Sequence, residues 1–155
     1  MKRFICLFLV FVSVLTVFVS CGEGTQKDVI ISNGTEEIVT KDVFLWSGGA
    51  DGAAMFEGVL GSLKSDGSLD SLPQIEYKKG MSISLPKNTS LDCVKVYSMD
   101  NIEEYVKLSA DIDVLSQMEA GEWYVVCDVK YYRKNKYSGK SAYVFKLIVE
   151  QEISE

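Results

Sequence analysis

The sequence predicts a mostly β protein, built from antiparallel strands with one short helix. The strongest signal is the stretch from Gly121 to Tyr132, in which every charged residue falls on the same face of an extended strand. One face carries the apolar and aromatic set Trp123, Val125, Cys127, Val129 and Tyr131, while Glu122, Asp128 and Lys130 fall on the opposite face. Turn residues also separate the other strand candidates at short intervals, which permits hairpins but not parallel crossovers. We therefore expect a half-buried central strand on which the other strands pack, with Trp123 in the core.

The other elements follow from the same kind of pattern. Strands are predicted over residues 28–32, 37–46, 74–77, 81–85, 91–98 and 141–150, with a tight type I′ turn at Asn33-Gly34. The residues 56–63 have helical spacing of their apolar side chains, which predicts a short helix with Asp51 as its N-cap. Residues 100–108 carry several charges and are interpreted as an irregular crossing.

Composition limits the size and the chemistry of the protein. The chain has 155 residues, a length that predicts one domain over 28–150 and a frayed acidic tail over 151–155. It carries 16 basic and 22 acidic residues, and two of the basic ones, Lys2 and Arg3, lie in the N-terminal segment. Such an acidic body disfavours nucleic acid as a partner. The absence of histidine removes the usual general base and zinc ligand, so the sequence favours a protein that is not an enzyme and needs no cofactor or metal.

The N-terminal segment has the pattern of an export signal. Lys2 and Arg3 precede an apolar run from Phe4 to Val19, which is followed by the small residue Ser20 and then directly by Cys21. The residues 17–20 with Cys21 resemble the lipobox of bacterial lipoproteins, in which this cysteine becomes the lipid-carrying first residue. That resemblance implies a signal peptide over 1–20, a lipidated cysteine and spacer over 21–27, and a cell-membrane location facing outside the cytoplasm. An uncleaved signal anchor is the alternative, because the apolar run is at the lower length limit for a membrane span.

A second resemblance concerns the layout of the body. Met118, Gly121 and Tyr124, followed by Val126, look like the tyrosine corner of fibronectin type III and immunoglobulin-like sandwiches. The wider pattern, from Leu72-Pro73 through this corner to the strand 144–149, is similar to a group of small extracytoplasmic lipoproteins of Gram-positive bacteria. The resemblance implies an antiparallel β-sandwich of immunoglobulin-like or fibronectin-like layout, and it implies a location without an activity.

Cys93 and Cys127 are the two cysteines of the predicted body, and two interpretations of them stay open. In an exported chain they could form a disulfide, worth about 3 to 4 kcal/mol in the loop-entropy model. They could equally be separate buried thiols, since Cys93 shares a strand face with Lys95.

An acidic group is the second candidate site. Asp111 and Asp113 share one face of a possible strand, with Glu119 and Glu122 close in sequence. They could hold calcium or act as a carboxylate pair, but a solvated acidic edge is favoured because no calcium-loop motif is present.

The third candidate is a basic, tyrosine-bearing hairpin arm with its turn at Ser138-Gly139. Its possible binding residues are Tyr131, Tyr132, Arg133, Lys134, Lys136 and Tyr137. Tyrosine and arginine are enriched where proteins bind, although an ordinary solvated hairpin has the same composition. Contact with anionic lipid or wall polymer is a further interpretation.

Taken together, these patterns predict a membrane-anchored extracytoplasmic lipoprotein that acts as a non-catalytic binding module at the cell envelope. Its expected partners are the membrane, through a lipid on Cys21, and an envelope protein or anionic polymer. The alternative is a small carboxylate-dependent hydrolase acting on envelope polymer.

Overall fold

The computed structural model describes residues 28–40, 42–46, 58–107 and 109–151. The predicted signal peptide, Cys21, the spacer, the helix cap Asp51 and the tail beyond residue 151 lie outside the described residues. Within the described ranges, no helix is both long enough and apolar enough to cross a membrane.

Over the described residues, the structure confirms a mostly β fold with two sheets and one α-helix. The elements in chain order are β1 (Val29–Ser32), β2 (Glu37–Thr40), β3 (Asp42–Trp46), α1 (Val59–Ser65), β4 (Gln74–Glu76), β5 (Ser82–Ser84), β6 (Thr89–Ser98), β7 (Asn101–Lys107), β8 (Gly121–Arg133) and β9 (Lys136–Val149). Short 3-10 helices lie at Leu69–Ser71 and Ile112–Gln117. The smaller sheet has the order β2-β1-β5, and the larger has the order β3-β9-β8-β6-β7. β4 adds to the larger sheet beside β9, in the one parallel pairing among the described strands.

The strand β8 lies at the centre of the larger sheet and is buried on both faces. On one face lies the first core cluster, shared with the smaller sheet: Val29, Ile31, Ile75, Met81, Val94, Val96, Ile112, Leu115, Val125, Cys127, Val129, Tyr143, Phe145 and Leu147. On the other face lies the second core cluster, formed with α1: Val59, Leu60, Leu63, Leu69, Tyr97, Tyr124, Val126, Ala142 and Val144. The central position of β8 is as expected. The prediction that this strand is only half-buried is wrong, because α1 and the following 3-10 helix cover its second face.

Trp123 lies on the expected face of β8 but not in the middle of the core. Its side chain is half-buried and packs against the first core cluster from the edge. The indole Nε1 donates a hydrogen bond to the backbone oxygen of Glu119 at 3.1 Å, which keeps this end of the ring near the surface. Its burial is therefore less complete than the alternation alone predicts.

Several local expectations differ from the structure. The predicted strand 37–46 is divided, because β2 pairs in the smaller sheet and β3 pairs in the larger one. The segment interpreted as an irregular crossing contains the edge strand β7, which pairs with β6. The prediction of a type I′ turn at Asn33-Gly34 is wrong. Such a turn needs a positive φ at both residues, and Gly34 has φ +84° but Asn33 does not have a positive φ. Instead, the side-chain Oδ1 of Asn33 accepts hydrogen bonds from the backbone of Thr35 and Glu36 and closes a longer loop.

The helix α1 overlaps the C-terminal part of the predicted helix, which was expected over residues 56–63. It begins at Val59 after Gly58, and its buried residues are Val59, Leu60 and Leu63. It ends next to Gly67, whose φ of +76° is typical of the residue that stops a helix. The immunoglobulin-like or fibronectin-like arrangement of the two sheets stays a prediction.

Candidate binding surface

The basic arm is the connection between β8 and β9, and its turn lies earlier in the chain than the sequence indicates. Arg133 pairs with Lys136, so the two turn residues are Lys134 and Asn135. Both have positive φ, 50° and 62°, which is the backbone of a type I′ hairpin turn. Ser138 has no cross-strand partner because the register shifts beside it, so the predicted turn at Ser138-Gly139 is instead an irregularity within β9.

The turn places three cations at the end of the hairpin, which we call the hairpin tip (residues 133–137). Arg133, Lys134 and Lys136 are all exposed, and none of them forms an ion pair with a described residue. Lys130, further from the turn, differs because its Nζ lies 2.6 Å from Oδ1 of Asp92. The hydrogen bond and the charge of Asp92 raise the pKa of Lys130. Within the basic arm, the unpaired positive charge is therefore concentrated at the hairpin tip.

The tyrosines of the arm have two different roles. Tyr132 and Tyr137 are cross-strand partners whose rings meet edge to face, with centroids 6.5 Å apart. Tyr137 is 50% exposed, and the Tyr132 hydroxyl lies 3.4 Å from Oγ of Ser90. Tyr131 points to the other face, where it is half-buried against the first core cluster and its hydroxyl contacts that of Tyr143. Tyr131 therefore supports the arm from beneath, while Tyr132 and Tyr137 lie beside the three cations of the tip.

A second segment, not identified from the sequence, lies beside the hairpin tip. The backbone N–H of Tyr132 donates to the backbone oxygen of Asn88 at 2.9 Å. Asn88 has φ +60° and belongs to the turn between β5 and β6, next to the exposed Lys87. Its proximity arises from the long-range pairing of β6 with β8, and the only sequence signal was the Pro86-Lys87-Asn88 turn composition.

Acidic side chains gather at the opposite end of the β8–β9 ribbon. Glu122 pairs with Ile148, and Ile148 pairs with Glu76 on its other edge. The backbone N–H of Glu76 in turn lies 3.4 Å from the carboxylate of Glu36. Glu150 follows directly after β9. Glu76 is partly neutralised by Lys78, whose Nζ lies 3.8 Å from its carboxylate, but acidic side chains predominate at this end of the ribbon, the acidic end, whereas cations predominate at the hairpin tip, the basic end.

Cys93 and Cys127 are both buried, and no disulfide joins them in the structure. Cys127 pairs with Val94, whereas Cys93 pairs with Asp128, so the two side chains point to opposite faces of the sheet. Burial raises the pKa of the Cys127 thiol, and the charge of Asp128 adds to the effect. The structure therefore agrees with the interpretation of Cys93 and Cys127 as separate buried thiols, and not with the disulfide.

Beside Cys93 lies a buried ionic cluster that the sequence did not reveal. Lys95 Nζ is 3.1 Å from Asp128 Oδ2, and the Cys93 thiol donates to the same oxygen at 3.3 Å. Burial raises the pKa of Asp128, against the opposing effect of Lys95. Asp128 was expected on a solvated face. It is buried because Lys95 stands on the adjacent strand and supplies the compensating charge.

The acidic candidates of the sequence are not brought together into a site. Asp111 lies at the start of a 3-10 helix, not on a strand, and its carboxylate accepts a hydrogen bond from the backbone N–H of Asp113 at 3.1 Å. Glu122 lies at the start of β8. Over the described ranges, no group of three or more acidic or cysteine side chains is placed to hold a metal ion.

Comparison with known proteins gives no match. Protein-family profiles, curated proteins and solved structures were all searched, and none matches this chain.

Proposed function

We propose that the protein is a membrane-anchored extracytoplasmic lipoprotein that acts as a non-catalytic binding module, with the hairpin tip as its contact surface for an anionic component of the cell envelope. The observation that carries the binding part is the exposure of Arg133, Lys134 and Lys136 without an ion-pair partner among the described residues. Cationic side chains that are not neutralised by the protein itself are available for an anionic partner.

The position of the tip on a rigid support favours binding. β8 and β9 are paired from Gly121–Val149 to Arg133–Lys136, so the ribbon extends from the core directly to the turn. The hydrogen bond from Tyr132 to Asn88 ties the base of the tip to a second turn. A surface that is held in place before binding loses less conformational entropy when it binds.

The flanking aromatic pair adds contact area to the charge. Tyr137 is half exposed and rests against Tyr132, so its ring offers an apolar face beside the cations. Tyrosine provides such area at low cost in side-chain entropy and is enriched at binding surfaces.

The test is co-sedimentation of the detergent-solubilised full chain with purified envelope fragments. The tip variant Arg133→Ser/Lys134→Ser/Lys136→Ser should bind about tenfold more weakly or worse, because the steering charge is gone. The control variant Lys64→Ser/Lys78→Ser/Lys79→Ser removes the same charge from positions away from the tip and should bind like the wild type. Raising the salt to about 1 M, where the screening length is about 3 Å, should abolish the difference between the two variants. Equal binding by both variants at low salt would contradict the proposal.

A further inference from the structure

The position of Asp28, the first described residue, indicates which end of the body is connected to the predicted anchor. β1 and β5 are antiparallel, with Ile30 opposite Ser84. Continuing this register places Asp28 level with Pro86. Asp28 and Lys87 accordingly line one surface cleft of about 570 Å³. The first described residue therefore lies beside the turn between β5 and β6.

The same turn adjoins the hairpin tip. Asn88, next to Lys87, accepts the hydrogen bond from the backbone of Tyr132. Tyr132 directly precedes Arg133, the first cation of the tip. Asp28 and the hairpin tip consequently lie at the same end of the body.

The other end of β1 confirms this direction. Asn33, just after β1, donates from Nδ2 to the backbone oxygen of Glu76 at 2.9 Å. Glu76 lies opposite Ile148, which pairs with Glu122 at the acidic end of the ribbon. The chain therefore enters the body at the basic end and runs along β1 toward the acidic end.

We infer that the hairpin tip docks on the anionic lipid headgroups of the same membrane that carries the anchor. This inference rests on the proposed function, because it needs the chain to be tethered at Cys21. Only seven residue steps separate Cys21 from Asp28, so even a fully extended spacer holds Asp28, which lies at the basic end, within about 25 Å of the lipid surface. The acidic end then faces away from the membrane, so the anionic headgroups do not repel it.

Charge and aromatic chemistry both fit a lipid interface. Each basic residue close to an anionic leaflet strengthens partitioning about fivefold, and Arg133, Lys134 and Lys136 are all free to contribute. Tyrosine is enriched at membrane–water interfaces, where its ring lies at headgroup depth, and Tyr137 has this exposure. A tethered body needs only this modest attraction, because the anchor already keeps its effective concentration at the surface high.

The test is lysine footprinting of the full chain, added to vesicles of phosphatidylcholine alone or of phosphatidylcholine mixed with anionic phosphatidylglycerol. A water-soluble acetylating reagent modifies exposed lysines, and mass spectrometry gives the rate at each position. Lys134 and Lys136 should be acetylated about fivefold more slowly on the anionic vesicles than on the neutral ones. The exposed Lys64 and Lys79 serve as internal controls and should show no difference. Because only the wild-type chain is used, the result does not depend on the folding of a variant.

The outcomes separate the lipid inference from the proposed function. Protection of the tip lysines that appears only with anionic lipid, and disappears at about 1 M salt, supports docking on headgroups. Equal rates on both kinds of vesicle overturn it, and so does protection that extends to Lys64 and Lys79. If the vesicles give no protection while lipid-extracted envelope fragments still bind through the tip, the lipid inference fails and the proposed function stands. If neither ligand engages the tip, both fail.

Discussion

The Lys95 ammonium lies 3.1 Å from the Asp128 carboxylate in the middle of the larger sheet, and each side chain is only 2% exposed. The two residues stand on neighbouring strands, β6 and β8. Lys95 also lies over the ring of Tyr105 on β7, 5.3 Å from its centre. Taking two charges out of water is costly, and their attraction offsets that cost only while both partners are present.

Removing one partner of this pair should therefore be far worse than removing both. Lys95→Met and Asp128→Leu should each lower the free energy of unfolding by about 3 to 5 kcal/mol, because each leaves a buried charge uncompensated. The double variant should lose much less than the sum, since it buries no charge. Urea unfolding of the four proteins gives the coupling energy. Additive losses would show that the two charges do not stabilise each other.

A matched control for that cycle is the exposed pair of Lys130 and Asp92. Their atoms are closer, 2.6 Å, but their side chains are 37% and 28% exposed. Solvent screening limits such pairs to about 1 kcal/mol or less. The cycle with Lys130→Met and Asp92→Leu should thus give a much smaller coupling, so that burial and not distance decides the energy.

The contrast shows what alternation along one strand can and cannot predict. The pattern in β8 predicted the face that carries Val125, Cys127 and Val129, and these residues are in the first core cluster. The same pattern placed Asp128 in solvent, because a lone charge on a strand usually faces water. Its partner Lys95 is on another strand, and so is Cys93, whose thiol donates to the same carboxylate. Neither can be inferred from the strand itself.

The cysteines give a prediction that distinguishes the two interpretations of the sequence. In the folded protein, Cys93 and Cys127 should be thiols that are not joined in a disulfide and that resist alkylation at about pH 8.5, where an ordinary exposed thiol is half ionised. Both are buried, and burial raises the pKa of Cys127 further from that range. After unfolding in denaturant without reductant, both should react.

Mass-spectrometric mapping of the alkylated peptides provides the measurement. A peptide pair linked through Cys93 and Cys127, released only by reductant, would show that the disulfide interpretation was correct. Rapid labelling of either residue in the folded protein would show that its side chain is not buried.

The hairpin tip illustrates how a turn can be placed wrongly while the exposure of the residues around it is still predicted from the sequence. Ser138-Gly139 has the more usual turn composition, yet the chain turns at Lys134-Asn135. The long apolar and aromatic pairing of β8 with β9, including Val125 with Phe145 and Cys127 with Tyr143, fixes the register. A turn with one suitable residue, Asn135, is tolerated because the strands determine where it must form. Arg133, Lys134 and Lys136 are exposed as expected, because they are close to either turn; their role in binding stays a prediction.

The position of the turn can be tested by substitution with a β-branched residue. Asn135→Val should lower the free energy of unfolding by about 1 to 2 kcal/mol, because valine is strained at positive φ. Asn135→Gly should be tolerated, since glycine is the preferred residue at this position of a type I′ turn. Ser138→Val is the control and should change stability by no more than about 0.5 kcal/mol, as an exposed strand position. Thermal unfolding measures all three, and a larger loss at Ser138 than at Asn135 would place the turn where the sequence composition indicates.

The anchor on which the proposed function depends can be tested by metabolic labelling. Cells that produce the full chain are grown with an alkyne-bearing fatty acid, and the purified protein is coupled to a dye. The wild type should carry the label, because Cys21 follows the predicted export signal and a small residue. Cys21→Ala should carry none. Cys6→Ala is the matched control, since Cys6 lies within the apolar run itself and its removal should leave the labelling unchanged. Equal labelling of Cys21→Ala and the wild type would mean that Cys21 is not the lipidated residue, and the basic end would then lose the tether that holds it near the membrane.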